Sequence, residues 1–209
     1  MSTTGKCPHC NGVLDPKPKR KRKCPHCRET IIIRKGELYT EQGAQEYDAK
    51  QKEEREIKYW ANRLRISRGQ LERQRASLAK EWGSQPSVND AVWRILNERV
   101  VKVRDLQDRK ILYLEMSMVA RDEGKDPQPY LAESAKCELL DMKESSWIKK
   151  VQVETCNDDE VCPACKKLAA KPIPIDKALA ELPIPKLCQN EEGCRCWYNG
   201  IVDTDAAVW

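Results

Sequence analysis

The chain contains no phenylalanine and only two histidines, and its 209 residues are 34% charged against 40% hydrophobic. So little apolar material argues against one large core and for several small units, some of them held by metal. Both histidines, His9 and His26, lie between paired cysteines. No histidine is left over to serve as base for a serine or cysteine nucleophile. A phosphate-binding glycine loop and a dinucleotide fingerprint are missing as well. No apolar run approaches the ~20 residues of a membrane span, and Met1–Lys6 has no apolar stretch of the signal-peptide kind. These absences predict a soluble, intracellular, non-enzymatic protein.

In a reducing interior, the eleven cysteines are better read as metal ligands than as disulfides. Their spacing supports this. Cys7-Pro8-His9-Cys10 and Cys24-Pro25-His26-Cys27 are two identical Cys-x-x-Cys pairs separated by thirteen residues. Each pair offers two thiolates from one tight turn, and a short ribbon between them completes a tetrahedral shell for zinc. Four cysteines satisfy that shell, so His9 and His26 are read as solvent-facing knuckle residues. Val13-Leu14 and Ile31–Arg34 read as short strands, and the metal substitutes for the missing core. Over about thirty residues this stretch resembles the zinc-ribbon class, which is common in nucleic-acid binding and in protein adaptors.

The charge is uneven. The formal net charge is +5, yet residues 1–35 alone carry ten Lys and Arg against Asp15 and Glu29. The rest of the chain is slightly acidic. Lys17, Lys19, Arg20, Lys21, Arg22 and Lys23 form the loop between the two knuckles. Cations so concentrated are candidates for salt-sensitive, sequence-independent contact with phosphates; a solvated loop is the competing reading. No aromatic is interleaved for base stacking.

From Tyr39 the composition favours helix, with Thr40 as N-cap. Ile57, Leu64, Leu71 and Leu78 recur every seven residues, with Trp60 and Trp82 near the same face. They predict one long helix with a coiled-coil-like stripe, Gly69 being its weak point. Gly83–Ser87 breaks it, and Ser87 with Asp90 restarts a second helix. That helix has an apolar face of Val92, Leu96, Val100, Val103, Leu106, Ile111, Leu114 and Met118, ending near Gly124. The two long helices would form an antiparallel hairpin. Pro127–Pro129 starts a third, presenting Leu131, Ala135, Leu139 and Met142 on one face. Packing within the chain is the favoured role of these stripes, and homo-oligomerisation through the first long helix is the competing one.

Ile148–Glu154 alternates like a strand. Beyond it lie Cys156, the pair Cys162-Pro163-Ala164-Cys165, a proline-punctuated segment with a short helix Lys177–Glu181, then Cys188, Cys194 and Cys196. This pattern points to a second zinc, bound by Cys162, Cys165, Cys188 and either Cys194 or Cys196, with a disulfide reading as competitor. Cys156 is a spare, and Cys137, inside the third helix, reads as an unreactive packed thiol. Asp158-Asp159-Glu160 reads as a solvated acidic turn rather than a cation site.

The order Asp158–Leu168, Ile173–Asp176 and Cys194-Arg195-Cys196 resembles the C-terminal signature of phage Mu F-like head morphogenesis (minor capsid) proteins, over about forty residues. Where that family has a histidine this chain has Cys188, followed by the insertion Gln189–Gly193, and its usual Leu-Asp-Gly-Lys is Leu168-Ala169-Ala170-Lys171. The resemblance implies a metal-stabilised module, a phage or prophage origin and contacts with phage structural proteins.

The expected fold is mainly α: a small N-terminal β zinc ribbon (1–36), a central helical hairpin or bundle (39–145) and a small C-terminal α+β cysteine-rich zinc module (146–209). The expected function is a two-zinc, nucleic-acid-contacting or assembly adaptor, cytoplasmic or virion-associated and without a membrane partner. A structural phage-head component and a thiol- or metal-dependent enzyme are the alternatives.

Overall fold

A computed structural model describes residues 4–191 and 193–202. The outer ends of the two terminal segments, 1–3 and 203–209, and Glu192 of the Gln189–Gly193 insertion lie outside the described residues. The fold is mainly α with small antiparallel sheets. No described helix is long and apolar enough to cross a membrane. The chain divides into two compact units, 1–73 and 74–209.

The first unit opens with β1 (Gly5–Lys6) paired to β2 (Val13–Leu14), then β3 (Arg22–Lys23), β4 (Thr30–Arg34) and β5 (Glu37–Tyr39) in one antiparallel sheet. The core of the knuckles and strands is small: Cys7, Leu14, Cys24 and Ile31 are buried, with Cys27 and Leu38 against them. A core dominated by polar-capable sulfur cannot by itself offset the chain entropy of ordering about thirty residues. Helix α1 (Glu41–Arg63) follows, capped by Thr40, whose hydroxyl accepts from Gly43 N at 3.0 Å. It is tied to the strands by Arg34, which donates Nε and Nη2 to the Asp48 carboxylate at 2.8 and 2.7 Å, and by the Tyr39–Tyr47 ring contact at 5.3 Å.

Here the structure corrects the single long helix. Leu64–Ser67 interrupts it, with Arg65 at φ 51°, and α2 (Arg68–Trp82) starts afresh. The new start is capped reciprocally: the Ser67 hydroxyl accepts from Gln70 N at 3.2 Å, and Gln70 Oε1 accepts from Ser67 N at 2.8 Å. Ile57, Trp60, Leu64, Leu71 and Leu78 are all buried, whereas Trp82 is 49% exposed and leaves the stripe.

The second long helix is broken too. In the second unit α3 (Val88–Lys102) begins at the Ser87–Asp90 capping box, and Val103 is extended. Asp105 then caps α4 (Leu106–Asp122) by accepting from Asp108 N at 2.8 Å. The restart rotates the helical phase. The buried face of α4 is Met116, Val119 and Ala120, while Ile111 and Leu114 of the expected face are exposed.

Helix α5 (Gln128–Glu144) starts at Pro127–Pro129 and packs along α4. Strand β6 (Ile148–Glu154) then runs between β7 (Ile173–Pro174) and β8 (Trp197–Val202), burying Val151 and Val153. Around this sheet lie α6 (Pro163–Ala169), α7 (Ile175–Glu181) and the short turn α8 (Pro183–Lys186). They close a core of Leu139, Val161, Ile175, Ala178, Ile184 and Tyr198 that includes Cys162 and Cys165.

One buried polar group joins α4, α5 and β8. Glu138 accepts from Lys110 Nζ with one carboxylate oxygen and from Tyr198 N, at 3.2 Å, with the other. Its side chain is 7% exposed, against 24% for Lys110. Glu138→Ala strands both donors, so a loss of about 2–3 kcal/mol is expected. Denaturant melts of the intact chain measure it; an unchanged midpoint would mean water replaces the carboxylate at no cost.

Candidate metal centres

Each N-terminal Cys-x-x-Cys folds as a knuckle because its backbone closes on itself. Cys7 N donates to Gly12 O and Asn11 N to Cys7 O, both at 2.9 Å. Seventeen residues on, Cys24 N donates to Glu29 O at 2.8 Å and Arg28 N to Cys24 O at 3.0 Å. Asn11 and Arg28 take the left-handed conformation, at φ 59° and 63°. The two hairpins are thus one unit used twice.

They bring Cys7, Cys10, Cys24 and Cys27 together with all four Sγ atoms within 4.8 Å of one another. Cys7–Cys27 are 3.8 Å apart and Cys10–Cys24 3.9 Å. Disulfide sulfurs sit about 2.05 Å apart, so these thiols are unlinked. A tetrahedral zinc ion about 2.3 Å from each sulfur would place them about 3.8 Å apart. The donor set and its spacing therefore fit a closed four-thiolate metal site.

The histidines stand outside the sulfur cluster and are exposed, as expected, and each ring also holds the fold. His9 Nε2 donates to Thr30 O at 3.0 Å, and His26 Nε2 donates to Val13 O at 2.9 Å. Each knuckle thereby straps the opposite hairpin. The seventeen-residue repeat of Cys-Pro-His-Cys was the signal for this exchange. Gly12 makes room for one strap: a Cβ there would lie 2.6 Å from the His26 ring. The matching place in the second knuckle holds Glu29, so the backbone tolerates a side chain and the ring does not. Gly12→Ala should displace His26 and weaken metal binding at the cluster about tenfold, equivalent to one lost hydrogen bond. A competitive chelator titration reads this; an unchanged affinity would show the strap to be idle.

Electrostatics make both clusters cation-seeking. Burial opposes ionisation of Cys24, but the backbone N–H groups of Cys27 and His26 and the neighbouring thiols Cys7 and Cys27 outweigh it and bring its pKa down to about 6. The N–H of Glu29 favours the Cys27 thiolate, yet burial and the thiols of Cys10, Cys24 and Cys7 push Cys27 up to about 12. In the C-terminal cluster burial likewise opposes Cys162, while the N–H groups of Gln189 and Cys165 and the thiols of Cys165 and Cys188 lower it to about 7. Burial foremost raises Cys165 and Cys196, and takes Cys194 to about 12. Each cluster thus pairs a thiol shifted toward the thiolate, Cys24 or Cys162, with at least one that burial and neighbouring thiols shift toward the protonated form, Cys27 or Cys165.

The C-terminal candidate ligands come from four places: Cys162 as N-cap of α6, Cys165 in its first turn, Cys188 after α8, and Cys194 and Cys196 ahead of β8. Cys162 Sγ accepts from Cys165 N and Gln189 N, each at 3.4 Å. The sulfurs form two groups, Cys162–Cys165–Cys188 and Cys165–Cys194–Cys196, each within 4.8 Å internally and sharing Cys165. Cys162–Cys188 and Cys165–Cys194 are both 3.9 Å. Cys137 is buried in α5, and Cys156 is exposed, 3.5 Å from Arg195 O.

Two interactions escaped the sequence reading. Arg195 Nη2 bridges Asp158 Oδ1 at 2.8 Å and Glu160 Oε2 at 2.9 Å. The acidic turn before Cys162 is thus clamped to the residue between Cys194 and Cys196. At the other end of the chain, Lys17 pairs with Glu37 at 3.4 Å, which removes it from the set of free cations. Lys19, Arg20, Lys21, Arg22 and Lys23 are all exposed, and none pairs with a carboxylate among the described residues. Only Arg22 and Lys23 lie on a strand, β3, hydrogen-bonded to β4.

No protein-family model, no curated protein and no solved structure matches the chain.

Proposed function

We propose that this is a non-enzymatic zinc protein whose N-terminal unit is a zinc ribbon that contacts the phosphate backbone of nucleic acid. The observation that carries the reading is the row of exposed cations from Lys19 to Lys23, unpaired among the described residues, whose last two members form the strand β3 immediately before Cys24. A metal-closed fold orders that row in advance, so the entropy of arranging the cations is met on folding rather than on binding. Contacts of this kind position a protein on a duplex without reading bases. Both histidine rings are engaged in the straps, which supports a structural rather than catalytic use of the knuckles.

Fluorescence anisotropy with a labelled DNA duplex tests this. Binding is expected at low salt, with little dependence on sequence, and it should disappear when a chelator removes the metal. No binding at low salt by the zinc-loaded chain would contradict it.

A second reading, a phage-derived head or assembly component working through protein contacts, is favoured by the Arg195 clamp. Asp158, Glu160, Cys162, Cys165, Cys194, Arg195 and Cys196, which carry the resemblance to the Mu F-like proteins, converge on one cluster. Co-purification with capsid or portal proteins would support it, and a chain that stays monomeric and captures neither would count against it.

A further inference from the structure

The two cysteine clusters differ in a way that one zinc per cluster does not explain. In the N-terminal group all four sulfurs are mutually within 4.8 Å. In the C-terminal group five sulfurs take part: Cys162–Cys165–Cys188 and Cys165–Cys194–Cys196 are each mutually within 4.8 Å and share Cys165, and Cys188 also interacts with Cys194. Two triangles that share one sulfur supply the donors a bridged pair of ions requires, and they use Cys196, which one tetrahedron would leave out.

We propose that the C-terminal cluster binds two thiophilic d10 cations, with the Cys165 thiolate bridging them. The inner ion takes Cys162, Cys165 and Cys188, and the outer ion takes Cys165, Cys194 and Cys196. Zinc meets this donor set with water completing each shell, since thiolate sulfur is its preferred ligand and the ion imposes little geometric preference of its own. Binding displaces one proton from each thiol and changes no oxidation state.

Three further observations agree. Cys165 is fully buried at the centre of the group, where a bridging atom must lie. The outer pair is held in register by the Arg195 clamp, so Cys194 and Cys196 present their sulfurs together although alternate residues of an extended chain point apart. Charge also favours the pair. One divalent ion on four thiolates leaves two negative charges, whereas two divalent ions on five thiolates leave one, and Arg195 is already taken by Asp158 and Glu160.

The inference rests on the zinc reading above, and the count of ions separates the two. Native mass spectrometry of the intact chain loaded with zinc should find three ions, one N-terminal and two C-terminal. Cys196→Ser should hold two, and Cys156→Ser, outside both triangles, should still hold three. Loading with spin-active cadmium gives a second readout that needs no variant: a shared sulfur couples two cadmium resonances, and a lone ion shows no such splitting. Two ions per chain, unchanged by Cys196→Ser and without cadmium coupling, would overturn the bridged cluster and leave the zinc reading standing. A chain that takes up no zinc would overturn both.

Discussion

Cys24→Ser is expected to empty the N-terminal centre and unfold both hairpins of the first unit while the helices of the second unit persist. Cys24 is buried and central: its sulfur lies 3.9 Å from Cys10, and it accepts from His26 N at 3.4 Å. Structural zinc contributes about 10–16 kcal/mol of apparent binding free energy, so each of four thiolates carries about 2.5–4 kcal/mol, or roughly two to three orders of magnitude in zinc affinity. The four-residue core around Leu14 and Ile31 has no comparable reserve. Heteronuclear NMR of the intact chain measures the outcome residue by residue. Amides of residues 5–34 should collapse to unfolded positions, and those of α4, α5 and β6 should not move. Retention of dispersed hairpin amides without metal would show that the strands fold unaided.

The second large effect belongs to the basic row. If Lys19, Arg20, Lys21, Arg22 and Lys23 each meet one phosphate, log K against log salt has a slope of about −4.5, and affinity falls roughly 500-fold between 50 and 200 mM salt. Replacing all five by glutamine should lower affinity at low salt by at least about 100-fold and bring the slope near zero. Lys17→Gln, by contrast, should change little, because Lys17 is already paired with Glu37. Equal effects from Lys17 and from the five-residue variant would argue for diffuse attraction by net charge rather than for a binding face. The variants keep all four N-terminal thiols, so zinc content and hairpin amides serve as the control for folding.

What could be read from the residues alone follows the range of the interactions. The knuckles were legible because Cys-Pro-His-Cys is a local device: its turn, its two sulfurs and its backbone closure all fall within six residues. Strand β6 was legible for the same reason, its alternation being complete within seven. The helix breaks were missed although their signals were present. Ser67 with Gln70 and Asp105 with Asp108 cap new helices just as Ser87 with Asp90 does. Only the last pair follows glycine and proline; the Ser67–Gln70 cap is marked by Gly69 alone, the weak point of the stripe, and the Asp105–Asp108 cap stands in uninterrupted helix-favouring sequence. Without a cap at Asp105 the periodicity of α3 runs on into α4 and puts Ile111 and Leu114 on the apolar face, whereas both are exposed.

The C-terminal site shows the opposite limit. Its cysteines were identifiable, but their grouping was not, since Cys188 reaches the cluster only through the α7–α8 turns and Cys194–Cys196 only through Arg195 and its carboxylates. Ion pairs between residues thirty-seven apart, or between Lys17 and Glu37, leave no trace in spacing or composition. The histidine straps lie between these cases: the repeat was visible, and its consequence, that each ring reaches the other hairpin, required the fold.

The claim on which the rest depends is that thiolate-bound zinc closes both units. Elemental analysis of the purified, intact chain tests it most directly, compared with Cys24→Ser and with Cys162→Ser. The account predicts zinc in the native chain, the loss of one ion in Cys24→Ser, and the loss of C-terminal metal alone in Cys162→Ser. A native chain free of zinc, or one whose zinc content is the same in both variants, would contradict it.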